Sequence, residues 1–160
     1  MALYVEFNNI TMYDMVLHRP TYLVGGGQYP GTWDIDVEAS DELTANGGLQ
    51  KIEISENGLA MLGENETWIR AVWYAENQYY AGVWIRRKGG LSWFSGNHIQ
   101  WYSSAGGGSF PNGRPNWTDR GDRVSPMTVQ LTSAFYVEYN VEYGQALSKV
   151  EVNILQRGGG

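Results

Sequence analysis

The sequence predicts an all-β protein, a single-domain antiparallel β-sandwich of about nine to ten strands with little helix. Apolar and polar residues alternate along many short segments, most clearly over Ala134–Tyr143. Glycine, asparagine and proline turn signals separate these segments about every 8–12 residues, a spacing typical of sandwich strands. No segment keeps a helical period for more than about two turns. We assign residues 1–157 to the sandwich and 158–160 to a flexible glycine tail.

The first predicted strands precede the glycine-rich loop at 25–31. Leu3–Phe7 alternates with a period of two, and Asn8-Asn9 follows it as a turn. Met12–His18 predicts a second strand, which Pro20 interrupts. Thr32–Ala39 predicts a third strand beyond the loop.

The third predicted strand has two chemically different faces. Its residues alternate between an apolar and a carboxylate face: Trp33, Ile35 and Val37 on one, Asp34, Asp36 and Glu38 on the other. Carboxylates at this spacing could hold a hard cation such as Ca²⁺. The alternative is a solvated face whose acids discourage edge pairing. We favour the alternative, because no calcium-loop motif accompanies the acids.

The middle of the chain predicts three more strands. Asp41–Asn46 forms a turn or a short helix, and Leu49–Ser55 alternates again before the hairpin signal Asn57-Gly58. Trp68–Ala75 and Val83–Arg87 then pair as antiparallel strands joined by a loop over residues 76–82.

The last part of the chain closes the sandwich. Trp93–Tyr102 shows no clean period, and Ser103–Pro115 is a long loop rich in glycine and serine. Val124–Leu131 predicts a strand broken by Pro126. Ala134–Tyr143 and Lys149–Leu155 predict the final two strands.

Composition excludes several classes of protein. The net charge of −6 argues against nucleic-acid binding, although residues 67–123 carry an excess of Arg and Lys. The absence of cysteine excludes thiolate catalysis and thiolate metal sites. No apolar run is long enough for a transmembrane segment. The N-terminus lacks signal-peptide features, so we expect a cytoplasmic protein or one released without a classical signal peptide.

The chain carries little that points to catalysis. The two histidines, His18 and His98, lie far apart in the sequence, and no nucleophile, metalloprotease or phosphate-loop motif is present. We expect no enzymatic activity, no cofactor and no metal. An enzyme or small-molecule-binding protein with an aromatic cleft stays open as an alternative.

Residues 68–102 are the best candidate for a binding site, because they concentrate tryptophan, tyrosine and the only consecutive basic residues. Sugars stack on aromatic rings while polar groups meet their hydroxyls, and phosphocholine needs an aromatic cage with a cation or hydroxyl. The alternative is that these aromatics are core and cross-strand pairs. The predicted ligand-binding residues are Glu76, Asn77, Tyr79, Tyr80, Arg86, Arg87, Trp101 and Tyr102.

Several segments resemble one superfamily of β-sandwiches. Residues 77–89 (NQYYAGVWIRRKG), the Trp101-Tyr102 pair and the tripeptide Arg120-Gly121-Asp122 are similar to actinoporin segments. Residues 134–155 resemble the C-terminal hairpin of fungal fruit-body lectins, and residues 30–35 (PGTWDI) resemble their Gly-Gly-Thr-Trp segment. Aegerolysins share the general pattern. The resemblance implies an actinoporin-like β-sandwich, with Asn77 as a hydroxyl-binding residue and Trp101 and Tyr102 as lipid-site residues.

Departures from these families limit what is carried over. Glu76 stands where the lectins have a histidine, and the chain is acidic where actinoporins are basic. The first expectation is therefore a lectin-like, non-enzymatic glycan-binding protein. The alternative is a cytolysin-like protein that recognises phosphocholine lipid headgroups. Because sandwiches with aromatic patches often pair, a homo-oligomer is a further expectation.

Overall fold

The fold is an all-β sandwich of two sheets, as predicted. The computed structural model describes residues 2–26, 33–56, 65–75, 79–89, 98–104, 118–119, 127–130, 135–142 and 147–156. Within these ranges the one helical element is a 3-10 turn at Arg19–Thr21. Among the same residues, no helix is long and apolar enough to cross a membrane.

The first sheet has six strands in the order β11-β12-β13-β1-β6-β4. Its strands are β1 (Ala2–Ile10), β4 (Trp33–Val37), β6 (Gly48–Glu56), β11 (Met127–Gln130), β12 (Phe135–Glu142) and β13 (Leu147–Gln156). One pairing differs from the antiparallel prediction, since β1 and β13 run parallel. These strands are remote in sequence, so no short hairpin forces them to run antiparallel.

The second sheet has the order β10-β9-β8-β7-β2-β5, and β3 also pairs with β7. Its strands are β2 (Met15–Leu17), β3 (Leu23–Gly26), β5 (Glu42–Leu43), β7 (Asn65–Ala75), β8 (Tyr79–Gly89), β9 (His98–Ser104) and β10 (Thr118–Asp119). Because β7 is long, β2 and β3 both pair along the same edge of β7, at different positions along its length.

The hydrophobic core lies between the two sheets. Every second residue of the main strands enters it: Leu3, Val5, Phe7, Ile52, Ile54, Ile69, Trp73, Ile85, Val137, Tyr139, Val152 and Ile154 are all fully buried. Phe7 and Trp73 join the sheets through a tilted ring contact with centroids 5.6 Å apart. Each large buried side chain contributes about 1.5–3 kcal/mol relative to an exposed one, so this packing is the main source of stability.

The predicted turn at Asn8-Asn9 is wrong, because β1 continues through both residues to Ile10. Asn9 is fully buried. Its amide nitrogen donates to the backbone oxygens of Tyr13 (2.7 Å) and Leu43 (3.0 Å), and its amide oxygen accepts from the Thr11 hydroxyl at 2.6 Å. The Asn-Ile-Thr triplet is therefore an internal hydrogen-bonding unit in the folded protein.

The segment Asp41–Asn46 forms the short β5 and then a turn, and it does not form a helix. The chain reverses there because Asn46 (φ 58°) and Gly47 (φ 104°) adopt left-handed conformations. Gly48 follows as a residue that tolerates no side chain, since a Cβ atom would lie 2.1 Å from the Thr44 carbonyl oxygen. In the predicted Met12–His18 strand, only Met15–Leu17 is extended and paired.

β4 lies at the edge of the first sheet. Ile35 and Val37 are exposed there, with a register shift between them. Among the described residues, no group of three acids or histidines is arranged to hold a metal ion. Glu38 instead lies 3.9 Å from the Arg19 guanidinium.

Several predicted features lie outside the described residues. They are the Asn57-Gly58 turn, the segment 93–97, most of the loop 103–115, Pro126, the Arg120–Asp122 tripeptide and the tail 158–160.

Replacing Asn9 with Asp tests its role in the fold. The change keeps the oxygen that accepts from Thr11 but removes the donor to two buried carbonyl oxygens, and it buries a carboxylate against them. We expect the free energy of unfolding to fall by about 2–4 kcal/mol in urea titrations. Asn46→Asp, the same change at an exposed position, is the matched control. Equal stability of Asn9→Asp and wild type would refute this role.

Candidate functional site

The candidate site lies on the three central strands of the second sheet, whose register is continuous. β7 pairs with β8 from Asn65–Gly89 to Ala75–Tyr79, and β8 pairs with β9 from Lys88–His98 to Gly82–Ser104. The predicted loop at 76–82 is therefore shorter, because residues 79–82 belong to β8. Residues opposite each other in neighbouring strands lie on the same face of a sheet.

One set of alternate positions shares the face that packs in the core. Ile69, Ala71, Trp73 and Ala75 of β7 belong to the core, as does Ile85 of β8. By register, three predicted site residues occupy this face: Tyr79 opposite Ala75, Arg87 opposite Thr67, and Trp101 opposite Ile85. Their positions favour a structural role.

The other set forms the outer face of the second sheet. It comprises Trp68, Arg70, Val72 and Tyr74 of β7, Tyr80, Gly82, Trp84 and Arg86 of β8, and Gln100, Tyr102 and Ser104 of β9. Three predicted site residues, Tyr80, Arg86 and Tyr102, occupy this face. Glu76 and Asn77 lie outside the described residues.

Aromatic and basic positions are neighbours on this outer face. Arg70 stands opposite Trp84, which stands opposite Tyr102. Arg86 stands opposite Trp68, and Tyr80 opposite Tyr74. The predicted set of site residues did not include Arg70, Tyr74 or Trp84. The alternation along Trp68–Tyr74 was the signal that could have grouped them, once the register with β8 was known.

The centre of the outer face is shielded from solvent. Val72 is fully buried although it lies outside the core cluster, and Arg70 is only 9% exposed. Burial lowers the pKa of the Arg70 guanidinium, since it penalises the charged form. The outer face therefore contains a desolvated cation among aromatic positions, which is an unusual composition for a plain solvent-facing sheet.

A charged cluster borders the second sheet between β2 and β3. Arg19 bonds the Asp41 carboxylate through Nε, and this contact raises the pKa of its guanidinium. The Arg19 guanidinium also lies 5.3 Å from the centroid of the Tyr22 ring. Burial, reinforced by the Glu38 charge, raises the pKa of the Tyr22 phenol to about 12. The phenol oxygen is buried, and among the described residues it forms no hydrogen bond that meets ordinary geometry.

The outer face of the first sheet has a different chemistry. A hydrogen-bonded ladder crosses three strands, from Asn8 to Asn153 (2.9 Å), from Asn153 to Glu138 (3.4 Å) and from Asn140 to Glu138 (3.3 Å). Beside it, Glu6 lies between Lys149 (3.7 Å) and Lys51 (3.9 Å). These groups satisfy one another, so the ladder is best explained as cross-strand stabilisation.

Comparison with known proteins adds no family assignment. No protein-family model matches the sequence, and no curated protein matches it. The actinoporin-like resemblance therefore stays a prediction.

The neighbours Trp101 and Tyr102 provide a direct test of the two faces. Because Trp101 is in register with the core residue Ile85, Trp101→Ala should lower the free energy of unfolding by about 3–5 kcal/mol. Tyr102→Ala should cost less than half as much. Chemical denaturation of both variants measures the difference, and a reversed order would contradict the register.

Tyr22 predicts a destabilisation at alkaline pH. The folded protein holds the phenol proton more tightly than the unfolded chain, so Tyr22 stabilises the fold below pH 10 and loses this contribution between pH 10 and about 12. Tyr22→Phe should match wild type within about 0.5 kcal/mol at pH 7, since the hydroxyl forms no well-aligned hydrogen bond with the described part of the chain. Above pH 10.5, the variant should unfold at a higher urea concentration than wild type. If the two curves coincide across this range, the phenol is not perturbed.

Proposed function

We propose that this is a non-enzymatic carbohydrate-binding protein that uses the outer face of the second sheet. The observation that carries the proposal is the continuous register of β7, β8 and β9, which groups Tyr80, Trp84 and Tyr102 on one face with Arg70 and Arg86. Aromatic rings offer apolar platforms for the C–H faces of sugars, and guanidinium groups donate to sugar oxygens.

Two further observations support this function. Some predicted site residues, such as Trp101, lie on the core face. The predicted site residues that lie on the outer face are Tyr80, Arg86 and Tyr102. In addition, residues 134–155 resemble the C-terminal hairpin of fungal fruit-body lectins in sequence. In this proposal Glu76 and Asn77 contribute hydroxyl contacts from the 76–78 connection.

A glycan array with labelled protein tests the function. We expect binding to at least one glycan class, and Tyr80→Ala or Tyr102→Ala should weaken it by at least about tenfold, as expected for the loss of an aromatic anchor. Tyr136→Ala is the matched control, because Tyr136 lies on the outer face of the first sheet. Circular dichroism confirms that each variant remains folded.

Two outcomes would refute the proposal. A blank array, together with sedimentation of the protein on liposomes containing sphingomyelin, would favour the phosphocholine-binding alternative. Equal loss of binding in Tyr136→Ala and Tyr102→Ala would place the site elsewhere.

A further inference from the structure

We propose that Met12 is a site of oxidative modification, where a peroxide converts the thioether to a sulfoxide and the side-chain amide of Gln156 binds the added oxygen. The inference goes beyond glycan binding and does not depend on it. It assigns Gln156 a role as the hydrogen-bond donor that lets this corner of the sandwich accept the modification.

The side chain of Met12 is open to solvent. Met12 is 66% exposed, whereas Met15, three residues later, is 2% exposed and belongs to the core. A peroxide must reach the sulfur atom to oxidise it, so oxidation follows exposure. The structure therefore favours the thioether of Met12 strongly over that of Met15.

The backbone on both sides of Met12 is held by hydrogen bonds. The backbone N–H and the hydroxyl of Thr11 donate to the side-chain oxygen of Asn9, at 3.1 Å and 2.6 Å. The Thr11 carbonyl oxygen accepts from the Asn46 N–H at 2.8 Å, and the Thr11 hydroxyl accepts from the Tyr13 N–H at 3.2 Å. Met12 is thus presented to solvent from a fixed corner, and its side chain can change without a rearrangement of that corner.

Gln156, the last residue of β13, contacts Met12 with both ends of its amide group. The amide oxygen accepts from the Met12 N–H at 3.4 Å, and the amide nitrogen donates to the Met12 sulfur at 3.7 Å. A thioether sulfur is a weak acceptor, whereas oxidation makes the side chain polar. The same nitrogen can donate to the sulfoxide oxygen. Oxidation should therefore strengthen the link between the end of β13 and the corner that follows β1.

The oxidation step needs only the peroxide. A lone pair of the Met12 sulfur attacks one peroxide oxygen, the O–O bond breaks and an S–O bond forms. The sulfur loses two electrons and the peroxide gains them. The proton of the transferred hydroxyl passes to the departing hydroxide, which leaves as water. Because Met12 is mostly exposed, the new polar oxygen stays in contact with water, whereas at Met15 it would enter the core.

Peptide mass spectrometry of the full chain treated with hydrogen peroxide tests the site. We expect Met12 to gain one oxygen atom at least about tenfold faster than Met15, because the thioether of Met15 is reached only when the core opens. Equal rates, or faster oxidation of Met15, would overturn the assignment.

Hydrogen exchange at the Met12 amide tests the role of Gln156. Oxidation should slow this exchange about fivefold in the wild type, as expected when one added hydrogen bond holds Gln156 against the Met12 N–H. Gln156→Glu keeps an oxygen that accepts from the Met12 N–H but has no N–H to donate to the sulfoxide. In this variant oxidation should not slow the exchange.

Met12→Leu, treated with peroxide in the same way, is the matched control for oxidation at the other methionines. Its exchange rate at residue 12 should be the same before and after treatment. Unchanged or faster exchange in the oxidised wild type would overturn the role of Gln156, as would equal slowing in Gln156→Glu. Equal slowing in Met12→Leu would show that the effect arises at another methionine, and it would overturn the proposal as well.

Discussion

The uninterrupted register of β7 with β8 and β9 is the constraint on which the rest of the structure depends. Side chains alternate between faces with a period of two, so a slip of one residue would exchange the faces. Trp73 and Ile85 would then leave the core, and the positions of Arg70 and Trp84 would enter it. Burying Trp73 and Ile85 in the core is far more favourable than burying the charged Arg70 there. The packing of the core therefore fixes the register.

The same constraint determines what the outer face can contain. Once Ile69, Trp73 and Ile85 are committed to the core, their neighbours in sequence must occupy the opposite side of the sheet. Those neighbours are aromatic and basic. Exposing the aromatic rings to water is unfavourable, and so is burying the basic groups. The burial of Val72 and Arg70 shows that this side is already partly desolvated. Along β7 and β8, aromatic residues therefore occupy both the core face and the outer face of the sheet.

The outer face of the first sheet is stabilised by polar contacts. Its polar residues bond across strands, as in the contacts among Asn8, Asn153 and Glu138. Glu6 is compensated by Lys51 and Lys149 and also accepts from the Tyr4 hydroxyl at 3.0 Å. Asn9, on the opposite side of β1, holds the segment after this strand in place from within. The two sheets thus have one common core and two unlike surfaces.

Much of the fold could be predicted from the sequence because alternation is a local signal. β12 confirms this, since Phe135, Val137 and Tyr139 are buried and their neighbours are not. The Asn8-Asn9 turn was wrong because tertiary hydrogen bonds to Asn9 outweigh the turn preference of asparagine. Tyr79–Gly82 was assigned to a loop because its extended form depends on pairing with β7, a partner that local pattern does not reveal.

The candidate site was predictable as a region but not as a surface. Aromatic and basic density identified residues 68–102, whereas the division between Tyr102 and Trp101 requires the register of β8 with β9. Register is a non-local property that depends on the packing of both sheets.

Disulfide trapping tests the register most directly, because the chain contains no cysteine of its own. The account predicts that Arg86→Cys combined with Gln100→Cys, which are directly opposite, will oxidise readily to an intramolecular disulfide. Arg86→Cys combined with Trp101→Cys, one residue out of register and on opposite faces, should remain reduced. Efficient cross-linking of the second variant and not the first would contradict the division of the sheet into a core face and an outer face.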